Sequence, residues 1–118
     1  MTAYLIVKAS VAEADREAFD RWYQEKHLPD AVVAFNALGA TRGWSEVEAG
    51  AHLAFYEFPT LQAANAIADS NAIKALIEEF DSTWEGRVTR TRDVVEIIQN
   101  IAAAEGFDKA RCPKDRQA

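Results

Sequence analysis

Phe19-Asp20-Arg21-Trp22-Tyr23-Gln24-Glu25-Lys26-His27-Leu28-Pro29-Asp30 is the stretch on which the fold of this chain turns. Phe19, Tyr23 and His27 fall at i, i+4 and i+8 of a helix, one line beside a stripe of Val11, Ala14, Ala18 and Trp22. Pro29 disfavours helical geometry at Leu28 but suits the first turn of a new helix. The spacing therefore predicts a helix that stops beside His27 and a short second segment, Asp30 to Asn36, at a changed angle. An imidazole, an indole, a phenol and a carboxylate converge there, which is how polar groups are often presented to an apolar pocket.

Upstream, Thr2 to Ala9 reads as a strand, because Tyr4, Leu5, Ile6 and Val7 form an uninterrupted apolar run of strand length. Ser10 and Glu13 then fit an S-x-x-E capping box that opens the helix. Downstream, Gly39 closes the second segment. Ala40 to Glu48 reads as a strand with Arg42, Trp44 and Glu46 on one side and Thr41, Gly43, Ser45 and Val47 on the other. Ala49, Gly50 and Ala51 supply a turn, and His52 to Phe58 returns as the second strand of a hairpin. Thr60 offers an N-cap to a helix carrying Leu61, Ala64, Ile67 and Ala68, which Ser70 and Asn71 interrupt. Ile73, Leu76, Ile77, Phe80 and Trp84 form the cleanest amphipathic stripe of the chain, broken at Gly86, and Val88 to Gln99 reads as the last strand.

The order βαββαβ is the split βαβ arrangement of an α+β, ferredoxin-like domain: one antiparallel four-stranded sheet with helices on one face. Tyr4 to Val7 and Val94 to Ile98 are apolar on both sides, whereas a two-layer domain covers only one. The open face is therefore expected to meet a second copy, as a homodimer forming a dimeric α/β barrel. This domain spans 1–99, and 100–118 is a C-terminal extension expected to hold a short helix and a polar tail.

At 118 residues, 49% hydrophobic and 27% charged, the chain fits one soluble domain. No apolar run nears the roughly 20 residues of a membrane span, and no secretory leader precedes Tyr4, so a cytoplasmic protein with no membrane partner is expected. Cys112 is the only cysteine and has no metal-ligand spacing around it. A net charge of −6 repels nucleic acid. No nucleophile elbow, phosphate loop, zinc spacing or dinucleotide fingerprint is present. The expected chemistry thus uses no cofactor and no metal, and relies on acid–base groups, shape and desolvation.

The segment Trp22-Tyr23 through His27, Pro29 and Asp30 resembles the W-Y-x-x-x-H-x-P-D helix end of dimeric α/β-barrel proteins, and among them the EthD-like group. The broader likeness covers residues 1 to about 99. The resemblance implies a ferredoxin-like homodimer within a superfamily of cofactor-free monooxygenases, cyclases and dehydratases, lactone isomerases, haem-degrading enzymes and members without assigned activity. The motif histidine is His27, its aromatic pair Trp22 and Tyr23, and the acid after it Asp30. The asparagine expected in haem-degrading relatives has no match here, which argues against haem.

His27 is the candidate proton shuttle, useful in both directions at its reference pKa near 6.5, with Asp30 as its orienting acid. The competing reading of His27 is a cap on free carbonyls at a helix C-terminus, and that of Asp30 a first-turn acid. Trp22, Tyr23 and Trp44 are candidate pocket walls or core aromatics, and Trp44 is also placed to plug the dimer interface. Arg90 and Arg92 share one face of the last strand and suit a carboxylate or an enol oxygen, or pair as rim charges. His52, just after a turn, reads as solvated and receives no role. The candidate functions are a small dimeric enzyme acting on an apolar oxygenated small-molecule ligand, a non-catalytic ligand-binding module, and an oligomerisation domain with a filled core. A cavity of about 300 Å³ or more beside His27 separates the first two from the third.

Overall fold

A computed structural model describes residues 2–103. Its sheet has the order β2-β3-β1-β4, from β1 (Ala3–Val11), β2 (Gly39–Trp44), β3 (Ala51–Phe58) and β4 (Val88–Glu96), all pairs antiparallel. The four helices are α1 (Arg16–Trp22), α2 (Leu28–Phe35), α3 (Leu61–Ala68) and α4 (Asn71–Trp84). This is the ferredoxin-like α+β domain expected from the element order.

Strand β1 runs two residues further than its apolar stretch suggests. Ser10 is paired on both sides, with Ala51 and with Thr89, and its backbone is committed to the ladder. The Ser10–Glu13 capping box therefore does not form. A 3₁₀ turn at Glu13–Asp15, entered at Ala12 without a side-chain cap, leads into α1. The cap expected at Thr60 forms, and Ser70, which interrupts that helix, caps the next one. Thr60 Oγ1 accepts from Ala63 N at 3.1 Å and Ser70 Oγ from Ile73 N at 3.2 Å, each contributing about 1 kcal/mol.

The expected break at Pro29 does not occur either. Trp22, Tyr23, His27 and Leu28 all have right-handed helical backbone, and α1 and α2 are joined through a π turn at Tyr23–His27. Proline carries no N–H and its ring crowds the carbonyl four residues back, so the chain must open there or break. It opens: the Leu28 N–H bonds to Tyr23 O, five residues back. Asn36, not Gly39, closes α2, in left-handed geometry with φ 51°. Gly39 instead begins β2, which ends at Trp44, four residues before the expected Glu48.

Gly50 in the β2–β3 turn has φ 81°, and a Cβ there would lie 2.5 Å from Val11 O. Only glycine allows the turn to approach β1 closely enough for Val11 N to donate to Gly50 O at 2.9 Å. Strand β4 stops at Glu96 rather than Gln99, and Ile97 N to Thr2 O, at 2.8 Å, is the tie that follows it. Asn100 to Ala103 have no regular structure. The rest of the expected C-terminal extension lies outside the described residues.

Alternation divides the sheet cleanly. Ala3, Leu5, Ala9 and Val11 of β1 and His52, Ala54, Tyr56 and Phe58 of β3 are buried beneath the helices. Tyr4, Ile6, Leu53 and Phe55 stand on the other face, half-buried by one another, with Ile6 paired opposite Phe55. No helix among the described residues covers that face. Phe19 is the hub of the inner layer, its ring 5.2–6.3 Å from those of Trp22, Tyr23, Trp44, His52, Phe80 and Trp84.

Candidate functional site

A straight α-helix turns by roughly 100° per residue, so residues spaced by four drift about 40° round its surface at each step. The wider π turn takes back part of that drift. Phe19, Tyr23, His27, Ala31 and Phe35 consequently all stay on the buried side, and His27 sits mid-helix with its ring inward. The carbonyls at this point belong to a continuing helix, which removes the C-terminal cap reading of His27. Single π turns of this kind are frequent at functional sites.

The His27 ring is 8% exposed. It stacks on Trp22 with centroids 4.6 Å apart and planes 19° from parallel, and meets the edges of Tyr23 at 4.8 Å and Phe80 at 5.8 Å. Its Nδ1 is buried with no hydrogen-bond partner among the described residues. Burial lowers its pKa to about 4, helped by the positive charge of Arg90 and opposed by Asp30. At neutral pH the ring is uncharged. In that form the ring has one nitrogen free to accept a proton.

His27 borders a cavity between sheet and helices. Leu5, Val7 and Tyr56 form its sheet side, Phe35 and the α4 residues Ile73, Leu76, Ile77 and Phe80 its helix side, and Arg90 and Arg92 its rim. The volume is about 30 Å³, room for a water molecule rather than an organic ligand. Tyr56 and Tyr23 join their phenol oxygens at 3.4 Å. Burial pushes both phenols above the ordinary tyrosine range, so both stay protonated. Two O–H groups share one hydrogen bond, which leaves one proton available for a further acceptor.

Of the remaining candidates, Asp30 bonds to Lys26 at 3.0 Å on the exposed side of α2 and makes no hydrogen bond to His27. Its effect on the ring is through charge alone. Arg90 bonds Asp81 at 3.1 Å and lies 3.9 Å over the Phe80 ring. Trp44 faces α1 rather than the open face, its Nε1 donating to Asp20 Oδ1 at 2.8 Å, so it does not plug an interface on the uncovered side.

His52, read as solvated, is 1% exposed. It packs against Tyr23 at 4.5 Å, Trp44 at 5.0 Å and Phe19 at 5.2 Å. Arg42 donates to its Nε2 at 3.1 Å and bridges to Asp20 at 2.8 Å, which places the ring proton on Nδ1, also buried without a partner. Burial first and Arg42 second bring its pKa to about 4. The bonds from Arg42 and Trp44 hold the Asp20 carboxyl below the usual range. Alternation could have found this cluster: residues 52, 54, 56 and 58 share one face, and Tyr56 and Phe58 already mark that face as the inner one. Tyr56 was missed for the same reason.

Among the described residues no helix is long and apolar enough to cross a membrane, and no group of His, Cys, Asp and Glu is arranged to hold a metal ion. No family model matches the chain, and no curated protein sequence does. Solved structures do. A Bacillus halodurans protein of the ethyl tert-butyl ether D (EthD) family superposes with a TM-score of 0.65 at 16% identity, over 83% of this chain and 100% of that one. SnoaB, a cofactor-independent oxygenase from Streptomyces nogalater, gives 0.62 at 9% identity, over 86% and 98%. An antibiotic biosynthesis monooxygenase gives 0.55 at 10% identity, over 82% and 99%. The chain shares the ferredoxin-like fold of these proteins.

Proposed function

We propose that this protein is a homodimeric α/β barrel whose inner cavity takes a small, apolar, oxygenated molecule, with His27 as the group that accepts a proton from it. The observation that carries the reading is the His27 ring, turned inward, uncharged, with Nδ1 unpaired, beside an apolar cavity. Tyr56 lines the same cavity and shares one hydrogen bond with Tyr23, and Trp22 and Tyr23 hold the imidazole in place. A base with a pKa near 4 is weak at neutral pH, so the proton it removes must be activated by the site or by the molecule itself. The uncovered apolar face of the sheet, with Tyr4, Ile6, Leu53 and Phe55, supports the dimer, as does the assembly the resemblance implies. Residues 1–99 are the barrel domain in this reading.

Whether the bound molecule is transformed or only held is decided by His27→Ala. The substitution is compared with the parent chain in a screen of hydroxyaromatics, enones and lactones, with binding and conversion followed by mass spectrometry. Retained binding with conversion reduced at least a hundredfold is expected. Unchanged conversion removes His27 as base, and binding without conversion by either protein favours a ligand-holding accessory module. A second reading, an assembly domain with a filled core, is favoured by one observation, the 30 Å³ volume. A drug-sized ligand needs about ten times that, so occupation requires the α4 wall to move outward. No binding from the whole screen would support the filled core.

A further inference from the structure

Two cations stand at the rim of the cavity on a chain whose net charge is −6. Arg90 and Arg92 lie two residues apart on the inner face of β4, opposite Ala9 and Val7. Arg90 spends one nitrogen on Asp81 and lays its guanidinium over Phe80, which fixes its plane. Arg92 makes no ion pair or hydrogen bond among the described residues and is exposed. Asp30 and Glu79 both pair with Lys26, at 3.0 and 3.7 Å, with Glu79 Oε1 left buried and unpaired among the described residues. Of the two guanidiniums, only Arg90 has a carboxylate partner among the described residues, Asp81, which is half exposed.

We infer that Arg90 and Arg92 form an anion subsite, and that the ligand of this cavity is an apolar molecule bound through one acidic oxygen group, a carboxylate or an acidic phenol. This rests on the reading of the cavity as a ligand site. A guanidinium presents parallel N–H donors that match two oxygens of one anion, and a held plane loses little freedom on binding. Neutral His27 adds no opposing negative charge, and the apolar walls accept the rest of the molecule. The incoming anion competes with Asp81 for Arg90. Asp81 is therefore an internal counter-ion, and removing its charge strengthens the subsite.

The test uses 4-nitrophenol, whose absorbance reports its ionisation and whose nitro group quenches the fluorescence of nearby tryptophan, such as Trp22 stacked on His27. Saturable quenching measures binding irrespective of charge, and spectrophotometric titration with excess protein measures the pKa of the bound phenol. The bound pKa is expected to fall by about one unit, a tenfold preference for the anion. Arg92→Gln should return it most of the way, and Asp81→Asn should lower it further and tighten binding about threefold. Saturable quenching with an unshifted pKa, or a shift indifferent to both substitutions, overturns the anion subsite and leaves the cavity reading standing. No saturable quenching by 4-nitrophenol, and no binding of naphthalene as a neutral control, overturns both.

Discussion

Acidification should destabilise this fold in a window set by its two buried histidines. Both rings have a native pKa of about 4 against an ordinary 6.5. Between pH 6.5 and 4 the unfolded chain therefore binds protons that the native one does not, and stability rises with pH across that window. The contribution is complete above pH 6.5 and is lost as pH falls. Integrating the linkage gives a loss of about 2 kcal/mol per ring at pH 5, and about 4 kcal/mol for both, against a typical total of 5–15 kcal/mol. Asp20, whose carboxyl lies below the usual 3.8, acts in a separate and lower window, so it does not confuse the measurement at pH 5. Urea unfolding followed by tryptophan fluorescence at pH 7, 6 and 5 reads the effect directly. His27→Gln and His52→Gln should each remove about half of the pH dependence, glutamine having no proton to gain. Equal urea midpoints at pH 7 and 5, or an unchanged pH dependence in both variants, would refute the buried neutral state of the rings.

Tyr56→Phe should cost about 1–3 kcal/mol in thermal or urea unfolding, because it strands the Tyr23 hydroxyl, while Tyr23→Phe with Tyr56→Phe should recover most of that loss. Asp20→Asn removes the charge that holds Arg42 but leaves an acceptor for Trp44, and with Asp20 partly exposed the expected cost is about 1 kcal/mol in urea at pH 7. Phe55→Asp, on the uncovered face opposite Ile6, should weaken self-association at least thirtyfold by sedimentation with little change in the monomer's circular dichroism. An unaltered sedimentation profile would mean that this face is not where two copies meet.

The fold was legible wherever one periodicity governed one element. The i, i+3, i+4, i+7 stripe from Ile73 to Trp84 and the cap at Thr60 are local features, and tertiary structure leaves them as the sequence presents them. Ser10 and Pro29 were not legible, because each is decided by a contest between local and distant demands. Ser10 satisfies a capping motif, yet β3 and β4 claim its backbone from both sides. Pro29 forbids one hydrogen bond of a regular helix, and the chain answers with a π turn rather than a break, an outcome favoured when the buried faces before and after it must stay aligned. The nearness of His52 to a turn points it to solvent, whereas the alternation of its own strand points it inward, and the alternation prevails.

The candidate site repeats this pattern on the scale of chemistry. His27 was read as inward-facing from its spacing with Phe19 and Tyr23, and it is inward-facing, but with no help from a helix terminus and with no hydrogen bond from Asp30. Its environment is set by Trp22, Phe80 and Arg90, and the last two arrive from the far half of the chain. A domain that served only to assemble would gain by replacing this arrangement with leucine and phenylalanine. The unpaired buried Nδ1 of His27 costs about 1–3 kcal/mol when left unsatisfied, and it lies beside a cavity with a guanidinium pair at its rim. A polar group held at a loss on a small apolar space marks where a fold gives up stability for a ligand. By the same reasoning, variants that fill this space should be more stable and less able to bind.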